Sequence, residues 1–354
     1  MILAADRPVA GPVSGGGRGD GLICRARLGA KCLAPIILAF HHHRSPLVIT
    51  PQALLDAIAT IELPTEARRV FHGRGGFFPG CEQWSLDVFP PVWLLTSFLP
   101  VTDEELAPIL STLAQRWAQV APGEPLNLVL QTRDAARAET RLLAGQVPDP
   151  HVVSAQSARY RVHLLRGLNH GLFLDMAEGR RWVREHVAAR RRMKVLNLFA
   201  YTCAFSVVAL QAGARQVINV DMSDGALSIG KQNHQLNGLR SGASFLPHDI
   251  FSSWGKISRM GPYGLIIVDP PSYQKGSFVA EKDYARLMRR LPDLLAPGGH
   301  ALLCLNSPKH SAAFLQVQMK ELAPDLTFVE RLPNPAAYAD VSIERALKVQ
   351  VYRA

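Results

Sequence analysis

Residues 195–221, VLNLFAYTCAFSVVALQAGARQVINVD, decide the fold of this chain. They contain an apolar strand over Val195–Phe199, a tight turn into a helix over Phe205–Gln211, and a second strand over Gln216–Val220 that leads to Asp221. A strand, a helix and a strand in so short a stretch predict two parallel strands joined by a crossover helix.

The same alternation continues to the end of the chain. The later segments are a helix over Asp224–Asn237, a strand over Gly264–Val268, a helix over Lys282–Leu295, a strand over His300–Leu305 and a final strand over Leu347–Tyr352. A regular succession of strands and helices predicts a parallel sheet with helices on both faces. We therefore expect an α/β fold that occupies residues 149–354.

The chain before the proline-rich segment Pro148–Pro150 is organised differently. Residues 1–45 show no periodic pattern and predict a loose extension, and His41–His43 have no carboxylate or cysteine partner that would indicate a metal site. Residues 46–148 predict a small α/β domain. Its segments are a helix over Pro51–Ile61 with Thr50 as the N-cap, a strand between that helix and Val70, a strand over Trp93–Phe98, a helix capped by Thr102 with Glu105 three residues on, and a strand over Leu126–Gln131.

Composition limits the class of protein. Of the 354 residues, 48% are hydrophobic and 19% are charged, which excludes disorder throughout and allows one large or two modest cores. The longest apolar run, residues 33–40, is shorter than the roughly 20 residues of a membrane-spanning helix, so we expect a cytoplasmic protein. Five cysteines without a C-x-x-C pair predict reduced thiols and no structural zinc site.

The charge balance is basic. Lys and Arg number 39 against 29 Asp and Glu, a net charge of +10, which suits a polyanionic partner such as RNA. A GC-rich coding sequence would produce the same excess of arginine, so motifs must decide the function.

Ligands of doubly wound sheets bind at the carboxyl ends of the strands. The residues at those places are Asp221-Met222-Ser223, Asp249-Ile250 and Asp269-Pro270-Pro271-Ser272-Tyr273. An acid about 20 residues after the first turn can accept both hydroxyls of a ribose, although it can also cap the next helix. A dinucleotide-binding fold requires neither Asp249 nor Asp269.

At these residues the sequence resembles the class I S-adenosylmethionine-dependent methyltransferases, from about Asn169 to the C-terminus. A narrower similarity is to bacterial methyltransferases that modify cytosine C5 or guanine N7 of 23S ribosomal RNA. The segments that carry it are 169-NHGLFLD-175 with Arg180, 197-NLFAYT-202, 233-NHQLNGL-239 and 269-DPPSY-273. The resemblance implies a Rossmann-like, seven-stranded methyltransferase domain with S-adenosyl-L-methionine as its cofactor.

The resemblance also implies roles for individual residues. Phe199, Tyr201 and Thr202 would surround the methionine part, Asp221 would hold the ribose, and Asp249 with Ile250 would meet the adenine. The further cofactor contacts expected from these segments are Phe173, Asp175, Asn197, Met222, Ser223 and Asp269. Cys203 stands where the family usually has a glycine, which would keep the backbone farther from the cofactor. Ala177 replaces a usual arginine, which leaves Arg180 or Arg181 to meet the cofactor carboxylate.

Two chemistries are open for the methylated atom. Methylation of cytosine C5 requires a cysteine thiolate that adds to the ring, and the resemblance places that residue just past the strand after Gly298-Gly299, where this chain has Asn306. Cys304 would share a strand face with Asn306, although a cysteine in an apolar strand is usually a core residue. A ring nitrogen or an exocyclic amine attacks the methyl group directly, and alignment supplies most of the rate.

We therefore expect a catalytic group of Asp269, Pro270, Tyr273 and Asn306. Asn306 would bond the base edge, Tyr273 would stack on its face, and the Asp269 carboxylate or the Pro270 carbonyl would orient an amine. The alternative is that Asn306 caps the next helix and Tyr273 is packed in the core.

The leading function is methylation of a base of ribosomal RNA, with guanine favoured and no metal required. Basic segments at Arg68-Arg69, 72-HGRGG-76 and Arg190–Arg192 favour RNA, although each could be a solvated face. The expected contacts with RNA are Arg74, Arg180, Ser272, Tyr273 and Lys309. Two further hypotheses are methyl transfer to a protein or small molecule, and an RNA-binding module that has lost catalysis.

Overall fold

The computed structural model describes residues 50–134, 138–190, 192–271 and 278–354. The predicted extension at residues 1–45, with its three histidines, lies outside the described residues. Within the described part of the chain, no helix is long and apolar enough to cross a membrane.

The first sheet has five strands. They are β1 (Arg68–His72), β2 (Trp84–Phe89), β3 (Val92–Ser97), β4 (Asn127–Arg133) and β5 (Ala138–Ala144), in that spatial order. Two helices, α1 (Gln52–Ala59) and α2 (Asp103–Val120), pack their apolar residues against one face around Trp84, Trp93 and Trp117. Only β3 and β4 are parallel, because α2 crosses between them. The predicted capping box of Thr102 and Glu105 begins α2 and is confirmed.

A hairpin of two short strands lies between this sheet and the rest of the chain. Its strands are β6 (His151–Ala155) and β7 (Ala158–Val162). Tyr160 of the hairpin is fully buried in a core that Phe89 and Leu94 of the first sheet share with Leu174 and Val207. One apolar core therefore joins the two halves of the molecule, and the domain boundary near Pro148 stays a prediction.

The second sheet has seven strands. They are β8 (Lys194–Leu198), β9 (Gln216–Asp221), β10 (Ala243–Pro247), β11 (Tyr263–Val268), β12 (Leu295–Leu305), β13 (Thr327–Leu332) and β14 (Lys348–Arg353). Their spatial order is β10-β9-β8-β11-β12-β14-β13, and β14 runs opposite to the other six strands. The order reverses at β8, so the carboxyl ends of β8, β9 and β11 form one open edge.

Helices cover both faces of this sheet. They are α3 (Ala177–Ala189), α4 (Ala204–Gln211), α5 (Asp224–Leu236), α6 (Trp254–Met260), α7 (Ala280–Met288), α8 (Leu291–Leu294) and α9 (Ala313–Leu322). Alternate residues of the buried strands point to opposite cores: Ile266 belongs to one cluster, and Leu265 and Ile267 to the other. The predicted Rossmann-like, seven-stranded α/β fold is confirmed.

Two of the predicted helices were wrong at their ends. Pro51, not Thr50, occupies the N-cap position of α1, because its ψ of 66° is not helical. The helix predicted over Lys282–Leu295 is broken between α7 and α8. Pro292 causes the break, since proline lacks an N–H and its ring collides with the carbonyl four residues earlier. Leu295 then starts β12 instead of ending a helix.

Candidate active site

One carboxylate organises the loop at the ends of β8 and β9. Asp221 Oδ2 accepts the N–H of Tyr201 at 2.8 Å, and Oδ1 accepts the N–H of Ser223 at 2.8 Å. Ser223 caps α5 through its own hydroxyl, so Asp221 does not serve as the cap. Each carboxylate oxygen keeps a second lone pair. Half-exposed Asp221 can therefore still accept two hydroxyl groups from a ligand.

The loop itself has an unusual backbone. Phe199, Tyr201 and Cys203 have φ values of 58°, 47° and 63°, a left-handed conformation that costs a non-glycine residue roughly 1–2 kcal/mol. Contacts with Gly171 hold the loop in place: its N–H donates to the Tyr201 hydroxyl at 3.0 Å, and its carbonyl accepts the Thr202 hydroxyl at 2.6 Å. The 169–175 segment is thereby joined directly to the loop.

Cys203 is accommodated by a glycine on the neighbouring helix. Its side chain is fully buried, and a Cβ added at Gly230 of α5 would lie 2.5 Å from the Cys203 Sγ atom. Gly230 therefore provides the space that the Cys203 thiol occupies. The thiol lies against α5 and not on the open side of the loop.

A chain of buried hydrogen bonds supports the loop from below. The Asn197 amide donates to the Asn219 side chain at 2.9 Å, Asn219 donates to the Ser206 hydroxyl at 3.0 Å, and Ser206 lies 2.9 Å from His234 Nε2. His234 Nδ1 in turn lies 2.7 Å from the Gly230 carbonyl. These polar side chains are all buried, and each has a partner, so β8, β9, α4 and α5 are held in one arrangement.

A second carboxylate lies at the end of β11 in different surroundings. Burial, together with the nearby charge of Asp175, raises the pKa of Asp269 to about 7. The Cys304 side chain and the Arg180 guanidinium are both close enough to favour the carboxylate form of Asp269. Burial likewise raises the pKa of Asp175, which Arg69 and Arg180 oppose. Asp269 can thus gain or lose a proton near neutral pH.

The end of β12 lies beside this carboxylate. Cys304 is buried, its carbonyl accepts the Tyr284 hydroxyl, and burial with the charge of Asp269 raises the pKa of its thiol well above the usual range. Asn306 follows the strand and is exposed, and among the described residues none forms a hydrogen bond with its amide. Ala312, not Asn306, occupies the N-cap of α9, so the alternative role predicted for Asn306 is not realised.

Comparison with known proteins identifies the family. A family profile described as S-adenosylmethionine-dependent methyltransferase matches residues 68–353. The chain belongs to this family of methyltransferases. The predicted family and cofactor class, S-adenosylmethionine, are thereby confirmed.

Individual relatives agree with this assignment. The chain is 31% identical over 182 residues to the ribosomal RNA large subunit methyltransferase I of Aeromonas salmonicida, covering 50% of this chain and 45% of that protein. It is 38% identical over 182 residues to the ribosomal RNA large subunit methyltransferase K/L of Psychrobacter sp., covering 49% of this chain and 22% of that protein. The matches span less than half the length of these curated relatives. The structure of SMU.776 complexed with SAH has the same fold, with a TM-score of 0.72, 22% identity, and coverage of 86% of this chain and 82% of that one.

The open edge of this methyltransferase fits S-adenosylmethionine. Asp221 offers carboxylate lone pairs to ribose hydroxyls, and its neighbour Met222 is 58% exposed and can cover the adenine. On the other side of the loop, Phe173 is 41% exposed and its ring centroid lies 5.3 Å from that of Tyr201. When bound, the cofactor supplies an electrophilic methyl group on its sulfonium. Phe173, Tyr201, Asp221 and Met222 would hold it at this edge.

Several predicted cofactor contacts have side chains that point into the protein. Asn197 and Thr202 are almost fully buried and hydrogen-bonded, and Ile250 lies in the core. Any contact from these residues with the cofactor would come from the backbone. Asp249 is half-buried and accepts the Phe251 N–H at 3.1 Å. Their cofactor roles stay predictions.

The residues predicted to contact RNA differ in their exposure to solvent. Arg180 is only 2% exposed and donates to the Phe173 carbonyl at 2.6 Å, so it is not a surface contact for phosphate. Arg69 is paired through both carboxylate oxygens with Asp87 at 2.8 Å and is mostly buried. Lys309 is exposed and follows Asn306 in the chain after Ser307 and Pro308. Ser272 and Tyr273 lie outside the described residues. No described residues form a group of three or more His, Cys, Asp or Glu that could hold a metal.

Sequence reasoning missed three supporting residues. Gly171 joins two parts of the site, Gly230 makes room for Cys203, and Asn233 donates to the Thr202 carbonyl at 2.9 Å. Asn233 stands in the 233–239 segment that carries the family resemblance, which was a usable signal. The pairing of Gly230 with Cys203 had no such signal, because it depends on how α5 packs on the loop.

Proposed function

We propose that this chain methylates a nitrogen of a base in RNA, with ribosomal RNA as the substrate and guanine as the favoured base. The observation that carries the proposal is the pair formed by Asp269, whose pKa is raised to about 7, and the exposed Asn306 amide at the end of the next strand. Together they offer an acceptor for an amine N–H and an amide for a base edge.

Asp269 has the properties that this reaction needs. In its carboxylate form it accepts a hydrogen bond from the attacking amine or imino group, which orients the nitrogen lone pair toward the methyl group. Because its pKa is about 7, the carboxylate can also take the proton that the methylated nitrogen releases. Besides burial, the charge of Asp175 raises the pKa of Asp269, and the charge of Arg180 lowers it.

The same surroundings argue against the cysteine mechanism. Addition to cytosine requires a thiolate, and the Cys304 pKa is raised by burial and by the adjacent carboxylates of Asp269 and Asp175. The Cys304 side chain is also only 1% exposed, beside Asp269. Cytosine-C5 methylation through Cys304 is therefore the less favoured chemistry.

The choice of RNA as substrate is supported by the relatives, which are named as methyltransferases of large-subunit ribosomal RNA. The net charge of +10 agrees with a polyanionic substrate. The test is nucleoside mass mapping of ribosomal RNA from cells with and without the gene, followed by restoration with purified protein and cofactor. A modified guanine that depends on the gene supports the proposal, whereas transfer only to protein or small molecules contradicts it. Absence of cofactor binding in calorimetry would favour the hypothesis of a module that has lost catalysis.

The catalytic atoms are tested by a pair of variants. Cys304→Ser should keep methyl transfer within about tenfold, whereas Asn306→Ala should lose roughly ten- to a hundredfold, since one lost hydrogen bond to the base costs about 1–3 kcal/mol. Single-turnover transfer from radiolabelled cofactor measures both. If Cys304→Ser is inactive, and the wild type forms a stable adduct with RNA that contains 5-fluorocytosine, the cysteine mechanism is correct and this proposal is wrong.

A further inference from the structure

Three large apolar side chains are exposed near one glycine-rich loop of the first sheet. Phe77 is 54% exposed, Phe78 39% and Leu99 54%, and the loop residue Arg74 lies over the ring of Phe98, the residue before Leu99. Scattered apolar residues are ordinary on a protein surface, but several aromatic rings in one place mark an interaction site. We name Arg74, Phe77, Phe78, Phe98 and Leu99 the aromatic surface.

The loop that carries these rings is fixed in place by its glycines. A Cβ at Gly73 would lie 1.8 Å from the Cys81 carbonyl oxygen, and one at Gly75 would lie 2.0 Å from the Ala339 carbonyl oxygen. The Gly75 carbonyl accepts the Val341 N–H at 2.8 Å, which attaches the loop to the segment before β14. The segment 72-HGRGG-76 therefore has a structural role, and it presents the Phe77 and Phe78 rings on a rigid support.

Positive charge surrounds the aromatic surface. The Arg74 guanidinium lies 4.0 Å from the centroid of the Phe98 ring, and that of Arg133 lies 6.0 Å from it. Burial lowers the pKa of Arg74, and the positive charge of the exposed Arg345 lowers it further. The Asp340 carboxylate opposes this change, and its Oδ1 atom already accepts the Ser342 N–H at 2.8 Å. Aromatic rings among arginines suit bases and phosphates more than an apolar protein partner.

The aromatic surface is connected to the cofactor loop. Arg133 donates to the Leu168 carbonyl at 2.7 Å and to the Gln131 side chain, so it joins the first sheet to the 168–171 segment. Gly171 at the end of that segment bonds both Tyr201 and Thr202. A strand of RNA that crosses Phe98 and Arg133 would therefore lie next to the segment that supports the proposed cofactor loop.

We propose that the aromatic surface binds single-stranded RNA on the strand that carries the target base. Bases stack on Phe77 and Phe78, and phosphates pair with Arg74 and Arg345. This inference rests on the proposed function, because it names where the same enzyme holds its RNA. Stacking recognises unpaired bases, so the surface selects a loop or an unwound segment and not a continuous duplex.

The test measures RNA binding without cofactor, by fluorescence anisotropy of a labelled 12-nucleotide single-stranded RNA of mixed sequence. Phe77→Ala combined with Phe78→Ala should weaken binding about 10- to 100-fold, as expected for the loss of two stacked bases. Phe328→Ala is the matched control, because Phe328 is 46% exposed on β13 of the other sheet, and it should bind as the wild type does. Equal binding by the double variant and the wild type would overturn the inference.

Further variants and measurements separate base stacking from a general loss of apolar area or of folding. Phe77→Trp should retain binding, whereas Phe77→Leu should weaken it nearly as much as Phe77→Ala, because an indole stacks on bases and an aliphatic side chain does not. Cofactor affinity of the double variant, from calorimetry, should equal that of the wild type, which also shows that the variant is folded.

Two outcomes distinguish this inference from the proposed function and from self-association. A wild type that binds the RNA through Phe77 but transfers no methyl group would contradict the proposed function alone. If the double variant instead changes a dimer into a monomer in sedimentation, with RNA affinity unchanged, the surface joins two copies of the chain and the inference is wrong.

Discussion

Asp221 and Asp269 occupy matching places in the sheet and differ in almost everything else. They stand at the carboxyl ends of β9 and β11, the two strands that flank β8 on either side. Asp221 accepts two backbone N–H groups and remains half-exposed, whereas Asp269 is close to a second carboxylate, a thiol and a buried guanidinium. The first environment makes a fixed hydrogen-bond acceptor, and the second makes a group that exchanges protons near pH 7. We therefore propose two functions for one residue type at one topological position.

The largest expected effect is at the fixed acceptor. Asp221→Ala should weaken binding of S-adenosylmethionine by more than a hundredfold, because two hydrogen bonds to a charged acceptor contribute about 1.5–3 kcal/mol each. Calorimetric titration with S-adenosylhomocysteine measures this. Asp224→Ala is the control, since Asp224 is an exposed residue in the first turn of α5 and should leave the affinity unchanged. A folded Asp221→Ala protein with wild-type affinity would remove Asp221 from the cofactor site.

Asp269 should determine how the rate of methyl transfer depends on pH. Asp269 has a raised pKa of about 7, so its carboxylate is the minority form below that pH and the majority form above it. Methyl transfer that requires the carboxylate should therefore rise about tenfold between pH 6 and pH 8. Asp269→Asn should reduce the rate roughly a hundredfold and abolish this rise, while cofactor affinity remains near that of the wild type.

Single-turnover rates across this pH range check the prediction, with the exposed Asp293→Asn variant as the control. If Asp269→Asn keeps the wild-type pH profile, another group controls it. If the same variant instead loses cofactor binding as Asp221→Ala does, the two aspartates do not differ in function as their surroundings indicate.

The sequence predicted the positions of the two aspartates but not the difference between their surroundings. Alternation of strands and helices placed both residues at one edge, because that depends on local pattern and on the topology of parallel sheets. The environment of Asp269 could not be predicted, since Asp175 and Arg180 come from one segment and Cys304 from another that is distant in the chain. The ends of two helices were also not predicted: Pro292 breaks one helix, and Pro51 occupies the N-cap that was expected at Thr50. Proline geometry and packing determine where these elements end.

The first sheet was harder to predict than the second. The capping box of α2 and two strands followed from local signals, but β2 and β5 were not predicted. The basic loop 72-HGRGG-76 was interpreted from charge alone as a contact for RNA. The structure shows that Gly73 lies close to the backbone at Cys81 and that Gly75 lies close to the backbone of the segment before β14, contacts that no periodic pattern records.

The smallest expected effect comes from Gly230→Ala. This variant should disturb the loop that bonds Asp221 and leave the surroundings of Asp269 unchanged. Gly230→Ala places a Cβ 2.5 Å from the Cys203 Sγ atom, so the Cys203 thiol and the loop must shift. We expect a loss of about 1–3 kcal/mol in the free energy of unfolding, the usual cost of overpacking. Because the same loop donates the Tyr201 N–H to Asp221, cofactor affinity should fall several-fold, whereas the pH profile set by Asp269 should not change.

The double variant Cys203→Gly/Gly230→Ala should restore most of this stability. Glycine at residue 203 removes the thiol from the space that the added methyl group needs, and it adopts the φ of 63° without strain. Chemical denaturation of the wild type, both single variants and the double variant measures the coupling energy. Additive effects would show that Cys203 and Gly230 do not share one space. A changed pH profile in Gly230→Ala would show that the supports of the two aspartates are joined.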